Sequence, residues 1–254
     1  LNLSTEDAKL LEDLYESFKA NGATLNKDDK EKYRKLSMDL SMLTLQFDQN
    51  ALKDKNRFEL LITDENELSG LPESARDAAA MLAKSKDKNG WLFNLSAPSY
   101  IPFMHYSDKR DLREKMYREY MSVGNKGDEF DNKDIIKKIV NIRLEIAQLM
   151  GFKNYAEYAL EHTMAKNSAN VYKLLNQLLE AYKPIAINEY NAVEGFALGT
   201  EKENITVMPW DWSYYSEKLR DIRFKVNDEM TRPYFELSNV KKENPGLSSG
   251  SRRL

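Results

Sequence analysis

The chain has 254 residues, of which 41% are hydrophobic and 31% charged, and its net charge of −3 comes from intermixed acidic and basic residues. This composition is that of a folded globular protein, and the charge balance argues against a nucleic-acid-binding surface. The sequence contains no cysteine, which excludes disulfides, thiol nucleophiles and cysteine-ligated metal centres. With only 10 glycines and 7 prolines, the chain is expected to form long helices rather than a β-sandwich or barrel.

Apolar spacing predicts two long helices at the start of the chain. The first should run from Thr5 to Ala20, because Ser4 is a good N-cap and Gly22 follows the last apolar residue. The second should run from about 27 to 53. Its apolar residues recur every three or four positions at Tyr33, Leu36, Leu40, Leu43 and Phe47. This spacing predicts a seam that packs against a partner helix.

Two short β-like runs interrupt the helical pattern. Residues 58–62 and 91–95 are both apolar and short, and Asn89-Gly90 marks a turn before the second run. Between them a helix is predicted to begin at Pro72, a residue favoured in the first turn of a helix. We therefore expect the two runs to pair as an antiparallel ribbon around this helix.

The rest of the chain is predicted to be helical with short interruptions. Ser107 is expected to cap one helix, and a second should run from about 132 to Gly151. A third should begin near Ser168 and continue past Pro184, because the apolar pattern resumes at Ile185, Ile187 and Tyr190. The sequence therefore predicts an all-α, bundle-like protein with one small β-ribbon.

An unusual cluster of aromatic residues surrounds one carboxylate in residues 209–215. Asp211 is expected to be the N-cap of a helix from Trp212 to about Met230. One interpretation is a helix cap with rings that fill the core. The other is a groove for an extended ligand, because Tyr and Trp combine apolar bodies with polar tips. The candidate residues for the groove are Trp210, Asp211, Tyr214 and Tyr215.

The residues that could carry catalysis form no complete site. The sequence contains no His-Glu-x-x-His motif, and its two histidines, His105 and His162, lie far apart. We interpret His105 as a packed or rim residue and His162 as a helix-end residue. Residues 246–250 match Gly-x-Ser-x-Gly, but no buried strand precedes them, so we attribute this match to chance. No catalytic residue and no metal ligand is predicted.

Several segments occur in the order and spacing of one known family. They are residues 97–102, 110–120, 142–156, 210–215 and 232–235. Together they resemble the thimet oligopeptidase family of zinc metallopeptidases, in its oligopeptidase A and peptidyl-dipeptidase (dipeptidyl carboxypeptidase) branch. The resemblance extends over almost the whole chain to about Val240.

The resemblance implies a mostly helical, zincin-like oligopeptidase fold with a narrow channel that admits short peptides. It also implies one zinc ion, which in this family is held by His-Glu-x-x-His and a later Glu and activates water. The family's zinc motif lies downstream of the segment that resembles residues 232–235, so no zinc ligand is carried over to this chain. Zinc is therefore expected for the parent family but not bound to this chain.

The expected role is a fragment that supplies one wall of the substrate channel. Residues 1–240 are expected to form this helical wall, and 241–254 a divergent polar tail. The rings of Trp210, Tyr214 and Tyr215 are expected to be partly buried beside the surface that faces the missing C-terminal catalytic half.

The expected partners are short peptides and that catalytic half, with self-association through the exposed face. Neither nucleic acid nor a membrane is expected as a partner, and the expected location is the cytoplasm. The expected activity is cleavage of short oligopeptides with release of C-terminal dipeptides. The alternative is a stand-alone helical module that binds a peptide or a protein without catalysis.

Overall fold

The computed structural model describes residues 3–200, 205–225, 228–238 and 240. Within these ranges the chain is mainly helical with one two-stranded sheet, which confirms the predicted fold class. The strands are β1 (Leu60–Ile62) and β2 (Trp91–Phe93). The helices are α1 (Thr5–Ala20), α2 (Lys27–Arg57), α3 (Glu73–Ser85), α4 (Ala97–Tyr106), α5 (Arg110–Met121), α6 (Lys133–Leu149), α7 (Tyr155–Leu160), α8 (Ser168–Thr200), α9 (Pro209–Phe224) and α10 (Asp228–Thr231). Short 3-10 helices occupy Glu65–Leu68 and Arg232–Phe235. The expected polar tail, 241–254, lies outside the described residues.

The chain divides into two compact units, each assembled from two separate stretches of sequence. Unit 1 comprises Leu1–Lys55 and Ser122–Ile185, and unit 2 comprises Asn56–Met121 and Ala186–Leu254. All four candidate residues for the groove belong to unit 2. The predicted functional boundary at residue 240 stays a prediction.

Local signals set the start of unit 1. Helix α1 has the predicted bounds, and the Ser4 hydroxyl oxygen accepts the Asp7 N–H at 3.1 Å as its cap. The predicted seam residues of α2 are half-buried. A buried polar pair anchors the loop before α6, because the Asp54 carboxylate accepts the Gly124 N–H at 2.7 Å. The Asn132 side chain closes the same loop by donating to the Phe47 carbonyl at 3.0 Å.

The β-ribbon opens unit 2 and confirms the predicted antiparallel pairing. Leu60 pairs with Phe93 and Ile62 with Trp91, so the strands are shorter than the predicted runs. Helix α3 packs against β2. The buried hydrophobic residues of this half of the unit include Leu60, Ile62, Leu68, Leu71, Ala79, Ala83, Leu92, Phe93, Leu95, Phe103 and Met104.

The predicted start of the helix after Ser107 is wrong, and the error has a physical cause. Ser107 does not cap α5: it ends α4, and α5 begins at Arg110. Ser107 is buried, and its carbonyl accepts a hydrogen bond from the Arg113 guanidinium at 2.7 Å, a partner that its local sequence does not reveal. As predicted, α8 passes through Pro184 without ending.

Candidate functional site

The candidate site lies at the first turn of α9. The predicted N-cap role of Asp211 is wrong, because Met208 is the N-cap and Asp211 is the third helical residue. Pro209 explains the earlier start, since its fixed φ suits the first helical position and it has no N–H to satisfy. The Asp211 carboxylate accepts the Met208 N–H at 3.0 Å, which satisfies a donor at this end of the helix. The helix ends at Phe224, before the predicted Met230, and Lys225 adopts the left-handed conformation.

Asp211 binds two arginines of α5. Its carboxylate accepts Arg110 Nη2 at 2.7 Å and Nε at 3.0 Å, and it accepts Arg113 Nη2 at 2.9 Å. The Asp211 side chain is fully buried, so these charge-assisted bonds act where water competes little. Together they fix the start of α9 against α5.

Arg113 is the most deeply buried cation of this arrangement. Its side chain is 1% exposed, and it also donates to the carbonyls of Ser107 and Trp210 at 2.7 and 3.3 Å. Its guanidinium lies 3.9 Å from the centre of the Tyr214 ring, a cation–π distance. Burial alone would raise the pKa of Asp211. The hydrogen bonds from Arg110, the Met208 N–H and Arg113 outweigh it and hold this pKa below its ordinary value of 3.8.

A second carboxylate binds the middle of α9. Asp108 accepts the Tyr214 hydroxyl at 2.6 Å, the Ser69 hydroxyl at 2.7 Å and the Lys218 ammonium at 3.2 Å. Burial tends to raise the pKa of Asp108, but the hydrogen bonds from these three partners dominate and lower it. Because Asp108 and Asp211 hold successive turns, α9 is fixed along much of its length.

The four candidate residues are all buried in unit 2. Their exposed fractions are 6, 0, 5 and 2% for Trp210, Asp211, Tyr214 and Tyr215. The rings are therefore more buried than expected. The Trp210 Nε1 group is buried and has no hydrogen-bond partner among the described residues. In this structure the four residues position α9.

The opposite face of α9 carries the accessible aromatic surface, which sequence reasoning missed. Trp212 is 37% exposed and Tyr190 of α8 is 43% exposed. Their rings stack with centroids 5.7 Å apart and an interplanar angle of 8°. Both line a cavity of about 540 Å³. The other lining residues are Ala186, Val207, Met208 and Pro209.

A second cavity, of about 210 Å³, lies along the same two helices. It is lined by Glu189, Val193, Trp212, Ser216, Leu219, Arg220, Arg223 and Phe224. We name the two cavities together the α8–α9 groove, with Trp212 lining both. Helical periodicity could have revealed it, because positions 212, 216, 219 and 223 share one face and 210, 211, 214 and 215 another.

The described residues do not form a metal site. Within the described ranges, no group of three or more His, Cys, Asp or Glu side chains is placed to hold a metal ion. His105 Nδ1 lies 3.7 Å from the buried Glu217 carboxylate, and His162 lies 3.4 Å from its exposed neighbour Glu161. A catalytic zinc needs three protein ligands, so this part of the chain does not fit one. The expected absence of zinc from the chain stays a prediction.

Comparison with known proteins identifies the class. The family model described as peptidase family M3 matches residues 103–254. The chain is 37% identical over 243 residues to oligopeptidase A of Haemophilus influenzae. This alignment covers 93% of this chain and 35% of that protein. It is 36% identical over 249 residues to a probable cytosolic oligopeptidase A of Arabidopsis thaliana, covering 94% and 35%. It is 30% identical over 244 residues to dipeptidyl carboxypeptidase of Escherichia coli, covering 96% and 36%.

The chain belongs to peptidase family M3, because the family model matches more than half of it. This confirms the resemblance that the sequence motifs indicated. The chain spans about a third of the length of the curated relatives that it matches. None of the described helices is both long enough and apolar enough to cross a membrane.

Proposed function

We propose that this chain supplies a peptide-binding wall of a zinc-dependent metallopeptidase that cleaves short oligopeptides. The observation that carries the proposal is the family match, together with relatives named as oligopeptidases over more than nine-tenths of the chain. Catalytic zinc chemistry would be supplied by residues outside the described ranges. The described residues would bind and orient the peptide.

The identities to the relatives bear on two forms of this activity, general oligopeptide cleavage and release of C-terminal dipeptides. The proteins named oligopeptidase A are 36 and 37% identical to the chain, whereas the dipeptidyl carboxypeptidase of Escherichia coli is 30% identical. The higher identity to oligopeptidase A favours general cleavage of oligopeptides. The similarity to dipeptidyl carboxypeptidase supports release of C-terminal dipeptides as the second form. The name of the Arabidopsis relative supports the cytoplasm as the proposed location.

An apolar face of α8 supports the proposed partner. The first half of this helix, in unit 1, exposes several large apolar side chains, each at least 41% accessible. They are Tyr172, Leu174, Leu175, Leu178, Leu179, Tyr182 and Ile185. A helix that is apolar on most sides is usually buried in a larger protein. We propose that the polypeptide corresponding to the unmatched two-thirds of the relatives covers this face, and that the chain self-associates without it.

Sedimentation tests the covering of α8. The chain by itself should show concentration-dependent association, and Leu175→Lys with Leu179→Lys should reduce it. The double variant Lys173→Ala with Glu180→Ala changes charged side chains of the same helix and serves as the matched control. A monodisperse monomer at high concentration would contradict the exposed-face argument.

A chimera tests the proposed activity. The matched 243-residue segment of the Haemophilus influenzae oligopeptidase A is replaced by the corresponding residues of this chain. We expect the chimera to cleave a short internally quenched peptide in a chelator-sensitive manner. The chain by itself should show no such cleavage and should not bind zinc tightly. A folded but inactive chimera would contradict the proposal, and peptide binding by the chain in that case would favour the stand-alone binding module.

A further inference from the structure

We propose that Asn89 is a site of spontaneous deamidation, at which the side-chain amide is lost and the residue becomes aspartate or isoaspartate. The sequence contains two Asn-Gly pairs, Asn21-Gly22 and Asn89-Gly90. Asparagine reacts most readily before glycine, because a residue without a side chain leaves the following backbone nitrogen unhindered. Both asparagines are exposed, so their hydrogen bonds decide which one reacts. The reaction requires nothing of the proposed peptidase function.

Deamidation of Asn89 proceeds through a five-membered succinimide ring. The Gly90 backbone nitrogen loses its proton and attacks Cγ of the Asn89 side chain. The N–Cγ bond forms, the Cγ–Nδ2 bond breaks, and the amide nitrogen takes up the proton and leaves as ammonia. Water then opens the ring at one of its two carbonyl carbons. Opening at Cγ gives aspartate and opening at the backbone carbonyl carbon gives isoaspartate, and neither step needs an oxidant or a reductant.

Hydrogen bonds protect the first pair, Asn21-Gly22, at the end of α1. The Asn21 side-chain amide donates to the Ser17 carbonyl at 2.8 Å, and the Gly22 N–H donates to the Lys19 carbonyl at 2.9 Å. Gly22 has a φ of +81°, as is usual for the residue that ends a helix. The leaving amide and the attacking nitrogen are therefore both occupied, and ring closure would break the end of the helix.

The second pair, Asn89-Gly90, lies in the turn between α3 and β2 without such bonds. Among the described residues, the Asn89 side chain has no hydrogen-bond partner and the Gly90 N–H has no acceptor. The turn is held on either side of the pair, because the Lys88 N–H donates to the Ala83 carbonyl at 2.9 Å and β2 begins at Trp91. The two reacting groups are adjacent, exposed to water and free to approach each other.

The fold requires glycine at position 90, which keeps Asn89 reactive. Gly90 has a φ of +118°, a conformation that residues with a side chain rarely adopt. A Cβ on this residue would lie 2.3 Å from the Ile62 carbonyl oxygen, which is closer than any contact between unbonded atoms. A larger residue would hinder the attack of its own nitrogen on Asn89, but it does not fit against β1. The close approach of the two strands therefore accounts for the reactive pair.

Isoaspartate at position 89 should loosen the β-ribbon. It carries the main chain through Cβ and Cγ, so the backbone gains one carbon atom just before Gly90 and Trp91. Trp91 pairs with Ile62 in a ribbon whose strands are only three residues long. Strand pairing depends on the regular spacing of the backbone groups, which the extra atom disturbs at the end of the ribbon. Aspartate keeps the ordinary backbone and should leave the ribbon intact.

Peptide mapping by mass spectrometry tests the inference. The chain is incubated at mildly alkaline pH in water labelled with oxygen-18, which enters the product when the ring opens. In the folded chain, Asn89 should deamidate at least about tenfold faster than Asn21. In urea the two rates should agree within about threefold, because the hydrogen bonds that protect Asn21 are lost. Equal rates in the folded chain, or a tenfold difference that persists in urea, would overturn the inference.

Matched variants test the chemistry. Asn89→Gln should slow the loss of the amide at this position at least about tenfold, because its side chain would have to close a six-membered ring. The control Asn21→Gln should leave the rate at Asn89 within about twofold. A rate unaffected by Asn89→Gln would contradict the succinimide route.

Urea unfolding followed by tryptophan emission tests the effect on the ribbon. Incubated wild type should develop a fraction with a lower urea midpoint, in proportion to its isoaspartate content, and incubated Asn89→Gln should not. Freshly prepared Asn89→Asp should keep the midpoint of unmodified wild type. An unchanged midpoint in isoaspartate-containing chain, or a lowered one in fresh Asn89→Asp, would contradict the effect of the lengthened backbone.

Discussion

Replacing Asp211 by Asn should strongly destabilise unit 2. The substitution keeps the shape of the side chain but removes the charge that both arginines face. Arg113 is 1% exposed and would be left as a buried cation whose partners, two carbonyls, the Tyr214 ring and the Asn oxygen, carry no negative charge. Neutralising one partner of such a buried pair costs about 3–5 kcal/mol. Arg110 is 43% exposed, so water replaces part of its lost interaction, which favours the lower end of this range.

Tryptophan emission during urea unfolding measures this loss in the correct unit. All three tryptophans, Trp91, Trp210 and Trp212, belong to unit 2, so their emission reports on it. The matched control is Glu114→Gln, which removes the carboxylate of an exposed i,i+4 ion pair with an arginine. The control should lose less than about 1 kcal/mol. If Asp211→Asn lost no more than the control, the network would not stabilise α9 as argued.

The stability of unit 2 should also depend on pH through Asp211. The folded-state pKa of this carboxyl lies below its ordinary value of 3.8. Its stabilising contribution is therefore complete above about pH 5 and is lost as the pH falls below 4 and through the folded-state pKa. The difference in unfolding free energy between wild type and Asp211→Asn should shrink over this acid range. A difference that stayed constant from pH 6 to 3 would contradict the lowered pKa.

The remaining predictions concern single contacts. Trp210→Ala should lower the free energy of unfolding by roughly 3–5 kcal/mol. Trp210→Phe should lower it by less than half as much, because Phe keeps a large ring and removes a buried N–H that has no partner among the described residues. Equal losses in urea titrations would refute this. Gly70→Ala should cost more than about 3 kcal/mol of unfolding free energy, because the new Cβ would overlap the last carbonyl oxygen of α4 and the residue has a positive φ. Gly127→Ala, also at a positive φ, faces open space and should cost about 1 kcal/mol. Thermal unfolding measures both losses. Asp54→Ala should speed exchange of the Gly124 amide hydrogen at least about tenfold; unchanged exchange would show that this bond does not close the loop.

Elements with local signals could be predicted from the sequence. The bounds of α1 follow from Ser4 as a cap and from Asn21-Gly22 after the last apolar residue, and the structure places the helix at those bounds. The β-ribbon was predictable because two short apolar runs flank one helix. Each of these signals lies within a few residues of the element that it defines.

The partners of Asp211 could not be predicted in this way. Arg110 and Arg113 lie 101 and 98 residues away in the sequence, and no local pattern connects them to α9. The same distance hides the role of Ser107, whose carbonyl binds Arg113 instead of opening α5. Long-range pairing of this kind depends on the fold.

The aromatic cluster shows a second limit of sequence reasoning. Trp210 and Trp212 are two positions apart and chemically identical, yet one is buried and the other lines the groove. Two positions on a helix differ by about 200° of rotation, so they occupy opposite faces. Composition alone selects the cluster, and only helical periodicity assigns its members to the core or to the groove.

The Michaelis constant of the chimeric peptidase tests the central claim most directly. The substrate is a short internally quenched peptide. If this chain forms a peptide-binding wall that includes the exposed Trp212 ring, Trp212→Ala should raise KM at least fivefold while kcat stays within twofold, because a group that only binds peptide stabilises the ground state and the transition state equally. A KM unchanged by Trp212→Ala in an active chimera would contradict the account.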